Sequence, residues 1–427
     1  MIDTLNNAGY HEAGSPDEAE IIIINSCSFI EPARQETVNV TLETVSAWPD
    51  KIVIMAGCFS QRYPDKTNDL IPELDGIFGN YNPAAITELI EMIKEGRGKI
   101  LIPEKPASSF SHKRSILFPR SIYIKLSEGC RHRCSFCAIP HIRGSLRSRT
   151  IEDVCSEIGD RVKEGYFEFN LVAQDLASFG NDRGKNDLIP LLNRLEKLKG
   201  DFWIRFLYIH PDNFPEEILD ICKRDPRFLA YFDIPFQHAS PAVLKKMGRT
   251  GTAEKYLGLV GRIREKLPSA AIRTSFLTGF PGESSRDFKM LRDFQEKARI
   301  DWAGVFCYSR EENTPAWKMG SSISFFLKKK IIRNRKKILE EKQQEITSER
   351  LKRFIGKKIN AIIEEPVRNE MLYMARGYFQ APEVDGLIVA ESENELKAGD
   401  LVTVEIEKIT GVDCKGVVLD RFSRNSE

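Results

Sequence analysis

The sequence predicts an α/β protein in three parts. Residues 1–105 read as a small doubly wound α/β domain, 116–350 as an open (β/α)6 partial barrel with a basic linker helix, and 354–423 as a small OB-like antiparallel β-barrel. Three observations carry this reading. Short β-branched runs alternate with helical stretches as far as Tyr308. Polar residues collect at the carboxyl ends of six of those runs, where barrels of this kind place their active sites. The last part, about 70 residues, switches to closely spaced strand candidates alone. A length of 427 residues accommodates two to four domains.

In the first part, Ile21–Asn25 and Ile52–Ala56 are β-branched-rich runs suited to buried parallel strands. Thr37–Trp48 and Pro83–Gly96 have helical patterning. Ligands of doubly wound sheets sit at the carboxyl ends of the strands, and Cys27 and Cys58 each follow one run, so the two thiols are expected on one edge. Met1–Tyr10 reads as a helix ending at Gly9, with no strand in front of it.

Pro103–Pro119 is polar and Pro/Ser-containing, a linker by composition. Strands are then expected at Ile122–Leu126, Phe167–Val172, Trp203–Ile209, Tyr231–Ile234, Ala271–Leu277 and Gly304–Tyr308. Their ends carry a cysteine-rich loop, Gln174-Asp175, His210-Pro211-Asp212, Gln237-His238, Gly279-Phe280-Pro281-Gly282-Glu283 and Tyr308-Ser309-Arg310. Beyond Phe326 comes a basic helix with Ile332, Leu339 and Ile346 at heptad spacing. It reads as a linker helix packed on the barrel with a solvated basic face, ahead of a dedicated nucleic-acid helix. Lys358–Ile363, Leu372–Tyr378, Gly386–Ala390, Leu401–Ile406 and Gly416–Leu419 complete the chain as a partner- or nucleic-acid-binding barrel, expected to be separable from the chemistry before it.

Composition excludes several classes. The 63 Lys/Arg against 62 Asp/Glu leave a net charge of +1, too little to hold nucleic acid by bulk charge. The local exception is Ser322–Lys358, with 13 Lys/Arg against four Asp/Glu. No apolar run approaches the ~18 residues that span a bilayer, and Met1 opens no basic-then-apolar leader, so a cytoplasmic chain without membrane contact is expected. In a reducing compartment nine cysteines point to metal or redox chemistry rather than a disulfide scaffold.

Cys130-x3-Cys134-x2-Cys137 puts three thiols on one short loop. A structural zinc site closes with four ligands, and His132 or His141 could supply the fourth. The other reading is a 4Fe–4S cluster held by three thiolates, with one iron open to a substrate. Cys155, Cys222, Cys307 and Cys414 are scattered in helix or strand contexts and read as buried structural thiols.

The stretch from Glu128 to Pro140, EGCRHRCSFCAIP, followed by six β/α units, resembles the radical S-adenosylmethionine (SAM) superfamily. CAIPHIRGSLRSR from Cys137, NLVAQDLASFG from Asn170, DIPFQHASPAVLKKMGR from Asp233, RTSFLTGFPGE from Arg273 and GVFCYSREENTPA from Gly304 are similar to the RimO branch of the methylthiotransferases. That branch modifies an aspartate of small-subunit ribosomal protein S twelve; the MiaB-like tRNA branch carries Gly-Gln-Asn where this chain has Ala173-Gln174-Asp175. The resemblance covers almost the whole chain, including a TRAM-like barrel at its end.

The resemblance implies a SAM-binding 4Fe–4S cluster on Cys130, Cys134 and Cys137, and an auxiliary 4Fe–4S cluster on Cys27 and Cys58. It implies SAM contacts from Phe136, Gln174, Gln237, Ser240, Gly279 and Glu283. Arg143 and Arg147 would meet SAM or an acidic substrate, or form surface salt bridges; His210 and His238 would be barrel-core histidines or catalytic ones. The implied partners are the ribosomal protein, a low-potential electron donor, and ribosome or RNA contacts through the TRAM-like barrel. The family's auxiliary cluster takes a third cysteine from an opening strand, and this chain begins inside the helix that follows. The chain is therefore expected to bind about one cubane rather than two and to insert sulfur poorly. Two other readings stay open: a MiaB-type tRNA-adenosine methylthiotransferase, and a non-catalytic iron–sulfur protein that binds RNA or senses redox state. The second leaves the six strand-end clusters without a role.

Overall fold

The computed structural model describes residues 1–104, 119–320, 322–367 and 370–421. Most of the linker expected at Pro103–Pro119 lies outside them. The chain divides into two compact units: Met1–Lys113 with Phe136–Ser145 and Ser309–Trp317, and Arg114–Ser135 with Leu146–Tyr308 and Lys318–Glu427.

The first unit is built on β1 (Ile21–Ser26), β2 (Ile52–Gly57), β3 (Gly76–Phe78) and β4 (Ile100–Leu101), all parallel and in that spatial order. Alternation along β2 splits its side chains between two cores. Val53 and Met55 pack with Ile77, Phe59, Ile71 and Leu74 on one face. Ile54 and Ala56 pack with Phe78, Ile86, Leu89 and Ile90 on the other. Two packed faces make this a doubly wound sheet. The helix Glu31–Ala47 begins earlier than its pattern suggested, with Pro32 in its first turn. It buries Thr37, Thr41 and Thr44, whose hydroxyls bond back to the carbonyls of Ala33, Thr37 and Val40 at 2.9, 2.7 and 2.7 Å. Those bonds satisfy the buried hydroxyls within the helix, and Thr37 Oγ1 in addition accepts from Cys27 N at 3.2 Å.

The second unit holds β5 (Ser121–Lys125), a two-stranded ribbon of β6 (Ser127–Glu128) and β7 (Arg147–Ser148), then β8 (Glu168–Val172), β9 (Trp203–Leu207), β10 (Phe228–Asp233), β11 (Ala271–Thr278) and β12 (Trp302–Cys307). The six long strands form one parallel sheet in the order β12-β11-β10-β9-β8-β5, the open (β/α)6 arrangement. The helix Ser322–Leu351 follows and buries Ile332, Leu339 and Ile346 at the expected heptad positions.

The chain ends in a closed barrel of β13 (Lys358–Pro366), β14 (Leu372–Gly377), β15 (Ile388–Glu391), β16 (Leu401–Thr410) and β17 (Asp413–Arg421), ordered β13-β14-β15-β17-β16. Its ladders are antiparallel except β15–β17, which is parallel. The barrel does not stand apart. Trp203, Leu229, Ala271 and Trp302, from the amino ends of the sheet strands, share one buried cluster with Ile363, Tyr373, Phe379 and Val404. Trp302 Nε1 donates to the Phe379 carbonyl at 2.7 Å. The amino ends of the sheet are thereby covered, and the chemistry-bearing residues follow its carboxyl ends.

Candidate active site

The loop after β6 carries Cys130 and Cys134, and Cys137 follows on the segment that leads into the helix Ile139–Arg143. All three thiols are half-buried. Burial pushes the Cys130 thiol up to about 11, against the lowering effect of the His132 N–H bonded to its sulfur at 3.4 Å. The loop is anchored to the turn after the helix Pro241–Lys246. Ser135 N donates to the Met247 carbonyl at 3.0 Å and Ser135 Oγ to the Lys246 carbonyl at 2.7 Å. Gly248 makes this approach possible: its φ is +79°, and a Cβ there would stand 2.9 Å from the Arg133 carbonyl oxygen.

A second anchor comes from the end of β8. His132 Nε2 donates to Asp175 Oδ2 at 2.7 Å, and the His132 ring stacks on His210 with centroids 4.4 Å apart. Asp175 also accepts from Ser178 Oγ at 2.6 Å, His210 N at 2.9 Å and Ala177 N at 3.1 Å. Burial alone would raise its pKa; the bonds from His132, Ser178 and His210 outweigh that and hold the carboxyl below its ordinary range. Burial, with Arg249 and His132 nearby, pushes His210 down to about 4, so its ring is neutral at pH 7. Its Nδ1 accepts from Asp212 N at 3.3 Å, a positioning role at a turn.

The other strand ends hold the remaining residues singled out in the sequence. Gln174 reaches Glu128 at 3.5 Å. Gln237 is buried with φ +66°, a left-handed conformation rare outside glycine. Its N–H and carbonyl bridge to Ser275 and Leu277 of β11 at 2.8 and 2.7 Å. Ser240 Oγ donates to Asp287 at 2.5 Å. Gly279, φ +82°, donates its N–H to Glu283, and Ile332 fills the space where a Cβ would project. Glu283 also pairs with Arg335 at 3.0 Å. Ser240 and Glu283 are thus committed to protein partners, whereas Gln174 is not fully engaged.

Gln174 Oε1, His238 Nε2 and Arg249 Nε are buried without a hydrogen-bond partner among the described residues, with Glu283 Oε1 3.8 Å from His238 Nε2. Each such atom costs about 1–3 kcal/mol while it stays unpaired. They fit a polar ligand with both donors and acceptors, as the amino acid and ribose of SAM provide. The thiol loop fits a cluster better than zinc. The two histidines that could have completed a zinc site are otherwise placed: His132 gives its Nε2 to Asp175, and His141 is exposed.

In the first unit, β1 and β2 pair through Ser26 and Gly57, so Cys27 and Cys58 are the next residue on each strand and share one edge, as expected. Gly57 (φ +119°) allows the turn, since a Cβ there would meet the Ser26 carbonyl at 2.7 Å. Cys27 is exposed. The Cys58 sulfur accepts from Arg143 Nη2 at 3.2 Å and Asn80 Nδ2 at 3.4 Å. The Cys58 loop is further held by Ser28 Oγ on its carbonyl at 2.9 Å, and by Arg62, which bonds the Ser28 carbonyl at 2.9 Å and Glu311 at 2.7 Å. Asn80, Arg249, the Asp175–His132 bond and Glu311 were not singled out by these roles in the sequence. All are contacts between residues far apart in the chain, which leave no local pattern. Of the scattered thiols, Cys222 and Cys414 are buried, and Cys155 and Cys307 are half-buried.

A six-stranded parallel sheet with a CxxxCxxC loop after its first strand defines a radical SAM enzyme, and the comparisons with known proteins agree. The radical SAM superfamily model matches residues 124–294, the TRAM domain model 355–419 and the model of uncharacterized protein family UPF0004 residues 1–79. The fold is similar to the radical SAM methyltransferase TsrM from Kitasatospora setae, solved with cobalamin and a 4Fe-4S cluster. The TM-score is 0.53 at 17% identity, covering 70% of this chain and 66% of that one. The chain is 40% identical to the ribosomal protein uS12 methylthiotransferase RimO of Treponema denticola, over 98% of this chain and 97% of that protein. It is 36% identical to the RimO of Thermotoga maritima, over 98% and 96%. The chain belongs to the RimO family of methylthiotransferases. It is a radical SAM transferase that uses a 4Fe–4S cluster and SAM. No helix among the described residues is long and apolar enough to cross a membrane.

Proposed function

We propose that this chain attaches a methylthio group to the β-carbon of an aspartate in ribosomal protein uS12, in the cytoplasm. The observation that carries the reading is the near full-length likeness to uS12 methylthiotransferases, with Ala173-Gln174-Asp175 closing β8. When bound, the clusters and SAM supply the radical that removes hydrogen, the sulfur and the methyl group. The chain's own residues bind, orient and shield. Cys130, Cys134 and Cys137, consecutive thiols of one loop, hold the SAM-binding cluster, and Asp175 fixes that loop through His132. Phe136 meets the adenine. Gln174, His238 and Arg249 turn their unpaired polar atoms to SAM. Gln237 and Gly279 shape the floor through positive-φ backbone, while Ser240 and Glu283 act through Asp287 and Arg335. Cys27 and Cys58 are the two thiols that the first unit offers to an auxiliary cluster, where the family uses three. The TRAM barrel docks the ribosomal substrate or its RNA, and a low-potential donor supplies the electron.

The test offers the reconstituted, reduced chain either a uS12 peptide containing the target aspartate or tRNA. Mass spectrometry should find the methylthio group on the peptide aspartate and none on adenosine. Modification of tRNA with the peptide untouched would overturn the substrate assignment.

A further inference from the structure

Two N–H donors from different parts of the first unit converge on one thiol. Arg143 Nη2 lies 3.2 Å and Asn80 Nδ2 3.4 Å from Cys58 Sγ. Neither contact follows from local sequence. Arg143 ends the short helix Ile139–Arg143, on the same segment as Cys137. Proline at its first turn starts that helix, Gly144 (φ +75°) stops it, and buried Ala138 and Ile142 hold it down. The helix packs on the one that Cys58 opens. Asn80 follows β3; its backbone N–H is fixed by Gln61 at 2.9 Å, and its buried Oδ1 has no partner among the described residues. Both donors thus extend from backbone that is itself held in place.

Hydrogen bonds to ligand sulfurs and nearby positive charge favour the reduced, more negative state of an iron–sulfur centre, and so raise its potential. A guanidinium supplies both at once. We propose that Arg143 is a positioning residue for an iron–sulfur centre at Cys58, with Asn80 as the weaker second donor, and that the pair sets the potential of that centre. The inference rests on the reading of Cys58 as an iron ligand. It assigns Arg143 a role at this sulfur.

The experiment uses the full chain with Cys130, Cys134 and Cys137 replaced by alanine, so that only one centre remains, reconstituted with iron and sulfide without oxygen. Iron per chain and an EPR-monitored redox titration are recorded for this parent and for added Cys58→Ala, Arg143→Met, Arg143→Lys and Asn80→Ala. Cys58→Ala should lose the iron. Arg143→Met should keep it and shift the reduction equilibrium at least tenfold toward the oxidised state, about 59 mV for one electron. Asn80→Ala should shift it less in the same direction, and Arg143→Lys should recover part of the loss. If Arg143→Met sheds its iron, Arg143→Lys and Asn80→Ala decide: lowered potentials support the inference and parental ones overturn it. If no iron depends on Cys58, the ligand reading fails and the inference with it. If iron depends on Cys58 but all variants titrate with the parent, the Arg143 inference alone is overturned.

Discussion

Arg376 of β14 and Glu168 at the start of β8 form a doubly hydrogen-bonded ion pair in the protein interior, with Nη1–Oε1 at 2.8 Å and Nη2–Oε2 at 2.5 Å. Arg205 of β9 adds two bonds to the same Oε1, at 3.0 and 2.8 Å, and Ser121 Oγ caps Oε2 at 2.8 Å. All three charged side chains are essentially without solvent contact. Burial alone would raise the Glu168 pKa; Arg376 and Arg205 outweigh it and hold the carboxylate far below its ordinary range. The pair welds the C-terminal barrel to the amino ends of the sheet. The barrel is therefore not the separable module its sequence suggests, because truncation at Lys358 would leave Glu168 and the apolar strand ends uncovered.

Arg376→Met should destabilise the chain by about 3–5 kcal/mol, the usual cost of removing one member of a buried ion pair, since Glu168 is then left to Arg205 and Ser121. Denaturant unfolding of the variant measures this. A loss below about 1 kcal/mol, the range of an exposed pair, would show that the barrel seats without this contact.

Asp385 predicts a pH dependence at the same junction. Its Oδ2 accepts from Tyr231 at 2.6 Å and from Ala381 N at 2.8 Å, and Arg273 lies 3.4 Å from Oδ1. Burial dominates over Arg273 and pushes the carboxyl up from 3.8 to about 6. A raised carboxyl pKa means the folded state holds its proton more tightly. Its contribution is therefore full below pH ~4 and lost as pH rises through ~6, by an amount of order 3 kcal/mol. Asp385→Asn should gain stability relative to the parent by that order between pH 4 and pH 7 in denaturant titrations. Parallel pH profiles for the two proteins would contradict it.

Much of the fold was legible because its signals are local. Ile21–Asn25 and Ala271–Leu277 announce strands by β-branched content, and the spacing of Cys130, Cys134 and Cys137 announces a metal or cluster site while leaving zinc and iron–sulfur both open. Ile332, Leu339 and Ile346 marked the buried stripe of a helix whose basic residues would otherwise suggest a free surface. β3, β4 and the β6–β7 ribbon escaped because runs of two or three residues carry no period. The candidate site was readable in its ligands and not in their supports. Nothing near Asp175 indicates His132, and nothing near Arg143 indicates Cys58. Buried Glu168 and Arg376 look like ordinary surface charges until the register brings them together.

Gly248→Ala tests how the cysteine loop is held. The added Cβ meets the Arg133 carbonyl at 2.9 Å, and φ at +79° disfavours alanine. The loop must move, so iron per chain after reconstitution should fall by at least half while the far-ultraviolet circular dichroism stays that of the parent. Unchanged iron would show that the loop tolerates a looser seat.

The central claim is that the loop of Cys130, Cys134 and Cys137 performs SAM chemistry at the carboxyl ends of the sheet. The most direct measurement is 5′-deoxyadenosine formed from SAM by the reconstituted, reduced chain, compared with a variant carrying alanine at the three positions. The parent should form 5′-deoxyadenosine and the variant none, with both folded by circular dichroism. Formation of 5′-deoxyadenosine by the triple variant at the parent's rate would contradict the account.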